Sequence, residues 1–149
     1  MLFRSDEHAR ALVLYARQWS DAPEDVVQDA FVSLARQRSL PDRVVPWLYR
    51  VVRNAAIAAS RGSRRRQRRE EKAATDGVSF ALADDRIDAA DASRLLAELD
   101  GETREVIVAR IWGGLTFDEV AKLQGCSLTT AHRRYQAGLA RLQMRLEPS

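Results

Sequence analysis

The sequence predicts an all-α fold of two small helical domains joined by a flexible linker. Apolar residues recur at spacings of three and four along nearly every segment, and no segment alternates with a period of two over the length of a strand. Residues 73–86 lose this periodicity and are rich in small and acidic residues. Because 149 residues are enough for two very small domains, the interruption favours domains at residues 1–72 and 87–149.

Three amphipathic helices are predicted in the first domain. The first covers residues 5–19. The second begins at Asp21, which Glu24 follows at the spacing of a capping box, and ends near Gln37 with Pro23 in its first turn. The third runs from Val44 to Arg61 or beyond, and Gly62 is a candidate for a break or a C-cap before the arginine run. Its predicted apolar stripe is Leu48, Val51, Val52, Ala55 and Ala59.

The C-terminal domain is predicted to contain four helices. The first two cover residues 87–99 and 102–112, and Gly113 with Gly114 closes the second. A capping box at Thr116 and Glu119 opens a short helix that ends at Gln124. Ser127 then caps a long final helix, whose apolar stripe is Leu128, Ala131, Tyr135, Leu139, Leu142 and Leu146.

The strongest local signal is a helix-turn-helix at residues 116–135. Ala121 is the small residue where its two helices cross, and Gly125 permits the sharp turn. Cys126 is interpreted as an apolar packing residue of this turn rather than a redox group. The second helix points polar and basic side chains away from its apolar stripe, and such side chains reach phosphates and base edges in a major groove. They are Thr129, Thr130, His132, Arg133 and Gln136. An ordinary helical hairpin is the alternative.

Charge is distributed unevenly along the chain, whose net charge is +3. Residues 61–72 contain seven basic and two acidic residues, whereas residues 76–105 contain nine acidic and three basic residues. Residues 121–146 contain five basic residues and no acidic one. Two separate positive segments in a small protein indicate a polyanion that is contacted at two places.

The second and third helices carry two further signals. Asp25 and Asp29 lie one helical turn apart, where like charges repel, so a basic partner would account for them. A solvated acidic face near a helix N-terminus is the alternative. In the third helix, Trp47 and Tyr49 precede Arg53, Asn54 and the arginine run, a combination that suits locally opened nucleic acid. The alternative for Trp47 is a place in the core.

Composition argues against several classes of function. The single cysteine and two histidines exclude an internal disulfide, a cysteine-built zinc site and a multi-histidine metal site. There is no phosphate-binding GxxxxGK sequence, no long apolar run and no signal-peptide pattern. We therefore expect a cytoplasmic protein that is not an enzyme, with no cofactor, no metal, no small-molecule substrate and no membrane partner. A small metal-dependent nuclease built on Asp25 and Asp29 is a weaker alternative.

Taken together, these motifs resemble bacterial sigma factors. Their region two resembles DAPEDVVQDAFVSLAR followed by PWLYRVVRNAAIAASRGSRRR, and their region four resembles ELDGETREVIVARIWGGLTFDEVAKLQGCSLTTAHRRYQAGLARL. A chain with only these two regions has the layout of the extracytoplasmic-function (ECF) group. The resemblance implies binding of core RNA polymerase, recognition and opening of promoter DNA, and an acidic linker near the polymerase active-site and RNA-exit channels. A DNA-binding regulator that never touches polymerase is the competing interpretation.

The resemblance also implies roles for individual residues. Those matching the helix that docks on the polymerase clamp are Asp25, Gln28, Asp29 and Phe31. Those matching the segment that engages the minus-ten element are Trp47, Tyr49, Arg53, Asn54, Arg61, Arg64 and Arg65. Those matching the minus-thirty-five recognition helix are Thr129, Thr130, His132, Arg133, Arg134 and Gln136. The resemblance also allows for an anti-sigma factor that covers both domains, although the sequence shows none.

The chain departs from the family pattern at two places. The connector between Arg38 and Trp47 is short and lacks the aromatic stretch that many relatives carry. Ala137, Gly138 and Leu139 occupy positions that are often basic, so fewer phosphate contacts are expected. A glycine inside a helix costs up to about 1 kcal/mol. Close approach of another part of the chain is the one reason we find for Gly138.

Overall fold

The structure of this protein is a computed structural model that describes residues 5–67 and 94–146. The chain divides into two compact units, Met1–Phe80 and Ala81–Ser149. All regular secondary structure in the described ranges is helical, so the predicted all-α class with two helical domains is confirmed. The predicted linker, residues 73–86, and both domain boundaries lie outside the described residues.

The first unit is a bundle of three helices that contact one another pairwise: α1 (Ser5–Ala16), α2 (Pro23–Ala35) and α3 (Val44–Gln67). Each helix contributes one buried stripe to a shared core. The buried residues include Leu12, Tyr15, Ala16, Val27, Ala30, Leu48, Tyr49, Val52 and Ala56. The stripe on α2 leaves the opposite side of that helix exposed.

Several details of the first unit differ from expectation. The helix α1 ends at Ala16 rather than at residue 19, because the next residues form a tighter turn in which the Trp19 N–H bonds the Ala16 carbonyl at 3.0 Å. The capping box at Asp21 is wrong. The helix starts one residue later than predicted, so Ala22 is the N-cap and Pro23 occupies the first turn, where its missing N–H has no cost.

The phase and the end of α3 also differ from expectation. The helix continues through Gly62 to Gln67, so the predicted break is wrong. Ala55 and Ala59 are exposed, whereas Ala56 is fully buried. Alanine carries little hydrophobic signal, and an alanine-rich stretch therefore does not define which side of a helix faces the core.

The second unit contains helical residues at 94–97, then α4 (Gly101–Ile107), α5 (Phe117–Gln124) and α6 (Leu128–Leu146). The long helix α6 packs against both α4 and α5. Asp100 caps α4 by accepting the Thr103 N–H at 2.9 Å, and this bond lowers the pKa of the Asp100 carboxyl. Arg104 bonds the carbonyls of Leu96 and Leu99 at 2.9 and 2.7 Å, which ties α4 to the preceding helical residues.

The predicted helix 102–112 is not uniform. After Ile107 the chain widens into a π-helical turn, Val108–Trp112, in which the Gly113 N–H bonds the Val108 carbonyl at 3.1 Å. The wider turn lets the buried Leu115 bond back to Ala109 at 3.0 Å. Gly114 then adopts a left-handed conformation with φ of 69°. The prediction that the helix ends at Gly113 and Gly114 is confirmed, but the prediction of a regular α-helix up to residue 112 is wrong.

Candidate nucleic-acid interface

The helix-turn-helix of the second unit is built from local signals that were readable in the sequence. The Thr116 hydroxyl accepts the Glu119 N–H at 3.1 Å, and the Glu119 carboxylate accepts the Thr116 N–H at 2.9 Å, so the predicted capping box is confirmed. Gly125 has φ of 68°, and the Cys126 N–H bonds the Ala121 carbonyl at 3.0 Å. This pair of features is a Schellman turn, which requires the left-handed residue that glycine supplies.

The second helix of the motif, α6, begins at the predicted cap. The Ser127 hydroxyl accepts the Thr130 N–H at 3.1 Å and donates to the Thr130 hydroxyl oxygen at 3.0 Å. Val120, Ala121 and Ala131 are buried where α5 and α6 cross. Thr130, which the sequence assigned to DNA, is therefore half-buried and bonded to its own cap.

Four of the six predicted minus-thirty-five residues share one exposed face of α6. Positions 129, 132, 133 and 136 follow the spacing of a single helical side, opposite the buried Ala131 and Gly138. We call this surface the recognition face, and it consists of Thr129, His132, Arg133 and Gln136. It offers hydroxyl, imidazole, guanidinium and amide groups, which are types of donor and acceptor that read base edges.

The imidazole of His132 is held by an aromatic platform. Its ring stacks on Phe117 with centroids 3.8 Å apart and planes 25° apart. The rings of Phe117 and Tyr135 form a T-shaped pair with centroids 5.1 Å apart, and the Arg110 guanidinium lies 4.3 Å from the Phe117 ring centroid. The stack restricts the orientation of His132 before any ligand arrives. Sequence reasoning missed Phe117, although its place directly after the cap of α5 was a usable signal.

Arg134 lies apart from the recognition face. Its side chain is 22% exposed, with one terminal nitrogen 2.8 Å from the Gln124 amide oxygen and the other 3.1 Å from a Glu102 carboxylate oxygen. The structure therefore places this predicted DNA contact in bonds within the second unit. Sequence reasoning also missed Gln124, because hydrogen bonds among residues as far apart as 102, 124 and 134 leave no local pattern in the sequence.

The predicted polymerase-binding residues gather on α2. Asp25, Gln28 and Asp29 are exposed on one side, and Val32 beside them is 44% exposed. We call this surface the α2 acidic face, and it consists of Asp25, Gln28, Asp29 and Val32. The fourth predicted residue, Phe31, is half-buried. Among the residues that the structure describes, no group of three acidic, histidine or cysteine side chains could hold a metal ion.

The predicted minus-ten residues are divided between core and surface. Tyr49 is fully buried, its ring centroid lies 4.7 Å from that of Tyr15, and burial raises the pKa of its hydroxyl. Its position gives no support to a direct contact between Tyr49 and DNA. Trp47 is half-buried, and the Arg53 guanidinium lies 5.7 Å from the ring centroid of Trp19. Trp19 is a further residue that sequence reasoning did not select.

Two of the remaining minus-ten residues lie along the outer side of α3. Asn54 and Arg61 are both exposed. The side chains of Arg64 and Arg65 lie outside the described part of the chain. None of the helices in the described ranges is long and apolar enough to span a bilayer.

Comparison with known proteins assigns a family to both units. Residues 6–69 match the family described as Sigma-70 region 2, and residues 90–142 match Sigma-70, region 4. RNA polymerase sigma factor CarQ of Myxococcus xanthus is 30% identical over 125 residues, which are 80% of this chain and 72% of CarQ. The solved structure of the sigma factor RpoE in complex with the anti-sigma factor NepR, from Bartonella quintana, is similar in fold. Its TM-score is 0.74 at 22% identity, over 95% of this chain and 94% of that one.

Proposed function

This chain belongs to the sigma-70 family of RNA polymerase sigma factors, and on that premise we propose which of its surfaces carry each step of initiation. It is a sigma factor of the ECF type, which binds core RNA polymerase and directs promoter recognition and opening. The family's members are transcription initiation factors. We also propose that this chain has no enzymatic activity of its own and that it acts in the cytoplasm, where it meets the DNA and the polymerase.

The recognition face reads the duplex of the minus-thirty-five element. The observation that supports this assignment is that all four residues of the recognition face are exposed on one side of α6. The other side of α6 packs against α4 and α5. A guanidinium that reaches guanine acceptors is worth about 1–3 kcal/mol of discrimination. The stack of His132 on Phe117 reduces the side-chain entropy that binding would otherwise cost.

The α2 acidic face binds the core polymerase. Two carboxylates one turn apart, with an exposed valine beside them, give a surface that suits a basic partner with an apolar centre. Residues of α3 act on the opened minus-ten strand. Trp47 and Arg53 are half-buried and Asn54 and Arg61 are exposed, and together they provide stacking and cationic groups.

Polymerase binding supplies the free energy for opening the duplex, because the sequence contains no nucleotide-hydrolysis loop. We also propose an anti-sigma factor as a partner that would cover these surfaces. RpoE of Bartonella quintana, which this chain resembles in fold, is bound to such a protein.

The test is transcription in vitro with purified chain and core RNA polymerase on a library of genomic fragments, with transcript start sites mapped. The chain should co-purify with the core enzyme and produce new start sites preceded by two shared sequence elements. Binding to DNA without the polymerase, and no change in start sites, would favour a standalone regulator. Cleavage of the library in Mg²⁺ would favour the nuclease alternative.

The division between surfaces is tested by Arg133→Ala. This change should weaken transcription in proportion to the match of each promoter to the minus-thirty-five element, because the guanidinium lies on the recognition face. A combined change of Arg64 and Arg65 to alanine should weaken all promoters alike and lower the salt dependence. Equal effects of both changes on every promoter would contradict the division.

A further inference from the structure

A hydrogen-bonded network joins the helices α4, α5 and α6 of the second unit. Gln124, the last residue of α5, donates from its amide nitrogen to the Glu102 carbonyl and to a Glu105 carboxylate oxygen, both at 3.0 Å on α4. Its amide oxygen accepts from the Arg134 guanidinium of α6 at 2.8 Å. Arg134 then closes the network through the Glu102 carboxylate at 3.1 Å.

The network has two kinds of bond. The Glu102 side chain is 70% exposed, so its ion pair with Arg134 contributes little by itself. We expect the bonds through Gln124 to contribute more to the placement of the helices, because Glu105 is only 2% exposed and the loss of one donor to a buried carboxylate is costly. Arg134 therefore donates to an amide that in turn donates to the buried side chain of Glu105.

The neighbouring arginine has a different environment. Arg133 is exposed on the recognition face, whereas Arg134 is 22% exposed and directs both terminal nitrogens into the network. A fork of this kind matches two acceptors at once, which a lysine ammonium cannot do with the same geometry. Moving Arg134 to a phosphate would require these bonds to be broken.

We propose that Arg134 is a positioning residue for promoter recognition, which fixes the placement of α6 against α4 and α5 through Gln124 and does not neutralise a phosphate. This inference rests on the proposed function, since it concerns how the recognition face meets the minus-thirty-five element. Specificity then depends on an uncharged amide, Gln124, that has no contact with DNA.

The experiment measures holoenzyme binding, with the full chain and core RNA polymerase. The probe is the duplex that the wild-type holoenzyme enriches most from a random-sequence library, and the reference is a scrambled duplex. Two quantities are measured for each variant: the slope of log affinity against log salt, and the ratio of affinities for the two duplexes. The variants are Arg134→Ala, Arg134→Lys and Gln124→Ala, with Arg133→Ala as the matched control.

We expect Arg134→Ala and Gln124→Ala each to lower the affinity ratio roughly tenfold, with the salt slope unchanged, because a positioning contact carries about this coupling. A further variant that combines Arg134→Ala with Gln124→Ala should lose little more of the affinity ratio than either single variant, because the two residues act through one network. Arg134→Lys keeps the charge but should not restore the ratio. Arg133→Ala should lower the affinity ratio as well and, unlike Arg134→Ala, should also reduce the salt slope by about one, since it removes a cation of the recognition face that lies next to the DNA.

A reduced salt slope in Arg134→Ala, or recovery of the ratio by Arg134→Lys, would overturn the proposal in favour of a phosphate contact. An unchanged ratio in Gln124→Ala would overturn it as well. Thermal unfolding of each variant shows whether it is folded at the assay temperature, and if Arg134→Ala is not, the other two variants decide. If the wild-type holoenzyme enriches no duplex, the proposed function fails before the variants are compared.

Discussion

Replacement of Gly138 by alanine should destabilise the second unit, although glycine is ordinarily the poorer helix former. Gly138 lies inside α6, where that helix crosses α4. An ideal Cβ at this position would lie 2.8 and 2.9 Å from the Cγ1 and Cδ1 atoms of Ile107, and 2.9 Å from Cγ2 of Thr103. Close approach of α4 is therefore the reason for the glycine.

The size of the effect follows from two opposing terms. At an open helix position, glycine to alanine would gain about 1 kcal/mol. Overpacking a filled core costs roughly 1–3 kcal/mol. Ile107 is fully buried and Thr103 is 7% exposed, and both are β-branched, so neither side chain can turn away easily. The overpacking term should therefore lie in the upper part of its range, for a net loss of about 1–2 kcal/mol.

The assay is thermal unfolding of the full chain by circular dichroism, with hydrogen exchange of peptides from α4 and α6 to assign the change to the second unit. For a unit of 60–100 residues, each kcal/mol of lost stability lowers the midpoint of thermal unfolding by about 4–8 °C. Gly101→Ala is the matched control, because nothing lies within 4 Å of its Cβ position and its φ is not in the left-handed region. A rise in the midpoint of Gly138→Ala, comparable with that of the control, would refute the reasoning.

Three further predictions concern the two interfaces and one cap. Asp29→Arg should weaken binding to core polymerase at least about tenfold by reversing one charge of the α2 acidic face, whereas Asp42→Arg on the exposed connector should not; equal losses in a pull-down would contradict the assignment. Phe117→Leu should reduce base discrimination at the same base pair as His132→Ala, because it removes the platform under the imidazole, and footprinting on single-base promoter variants measures this. The pKa of Asp100 is lowered, chiefly by the Thr103 N–H, so its stabilising contribution is complete at neutral pH and is lost as the pH falls below about 4. Asp100→Asn should therefore make unfolding less sensitive to acid, and an unchanged acid transition would argue against the cap.

The elements that sequence reasoning predicted correctly are those fixed by short-range chemistry. Thr116 with Glu119, Gly125 and Ser127 each form a bond or turn within a few residues, so their types and spacing identify the helix ends. The exposed side of α6 followed from the same reasoning, since helical periodicity determines which positions lie opposite Ala131.

The features that were missed depend on contacts between distant parts of the chain. Tyr49 resembles a surface aromatic in sequence because it stands between Trp47 and two arginines, and only its packing against Tyr15 shows that it belongs to the core. Arg134 follows another arginine, yet the two differ in exposure and partners. The π-helical turn after Ile107 has no sequence signal that we can identify.

These long-range contacts share one consequence for the recognition face. Three of the contacts that hold the helix α6 are the close packing at Gly138, the network at Arg134 and the aromatic contact at Tyr135. None of these three residues belongs to the recognition face, whereas the face residues are exposed and contribute little to the core. Changes of the face can therefore alter which sequence is preferred at small cost in stability, whereas changes of the supports weaken binding to the preferred sequence relative to other sequences without altering which sequence is preferred. A promoter preference that shifted with the supports, while binding strength stayed constant, would be inconsistent with this separation.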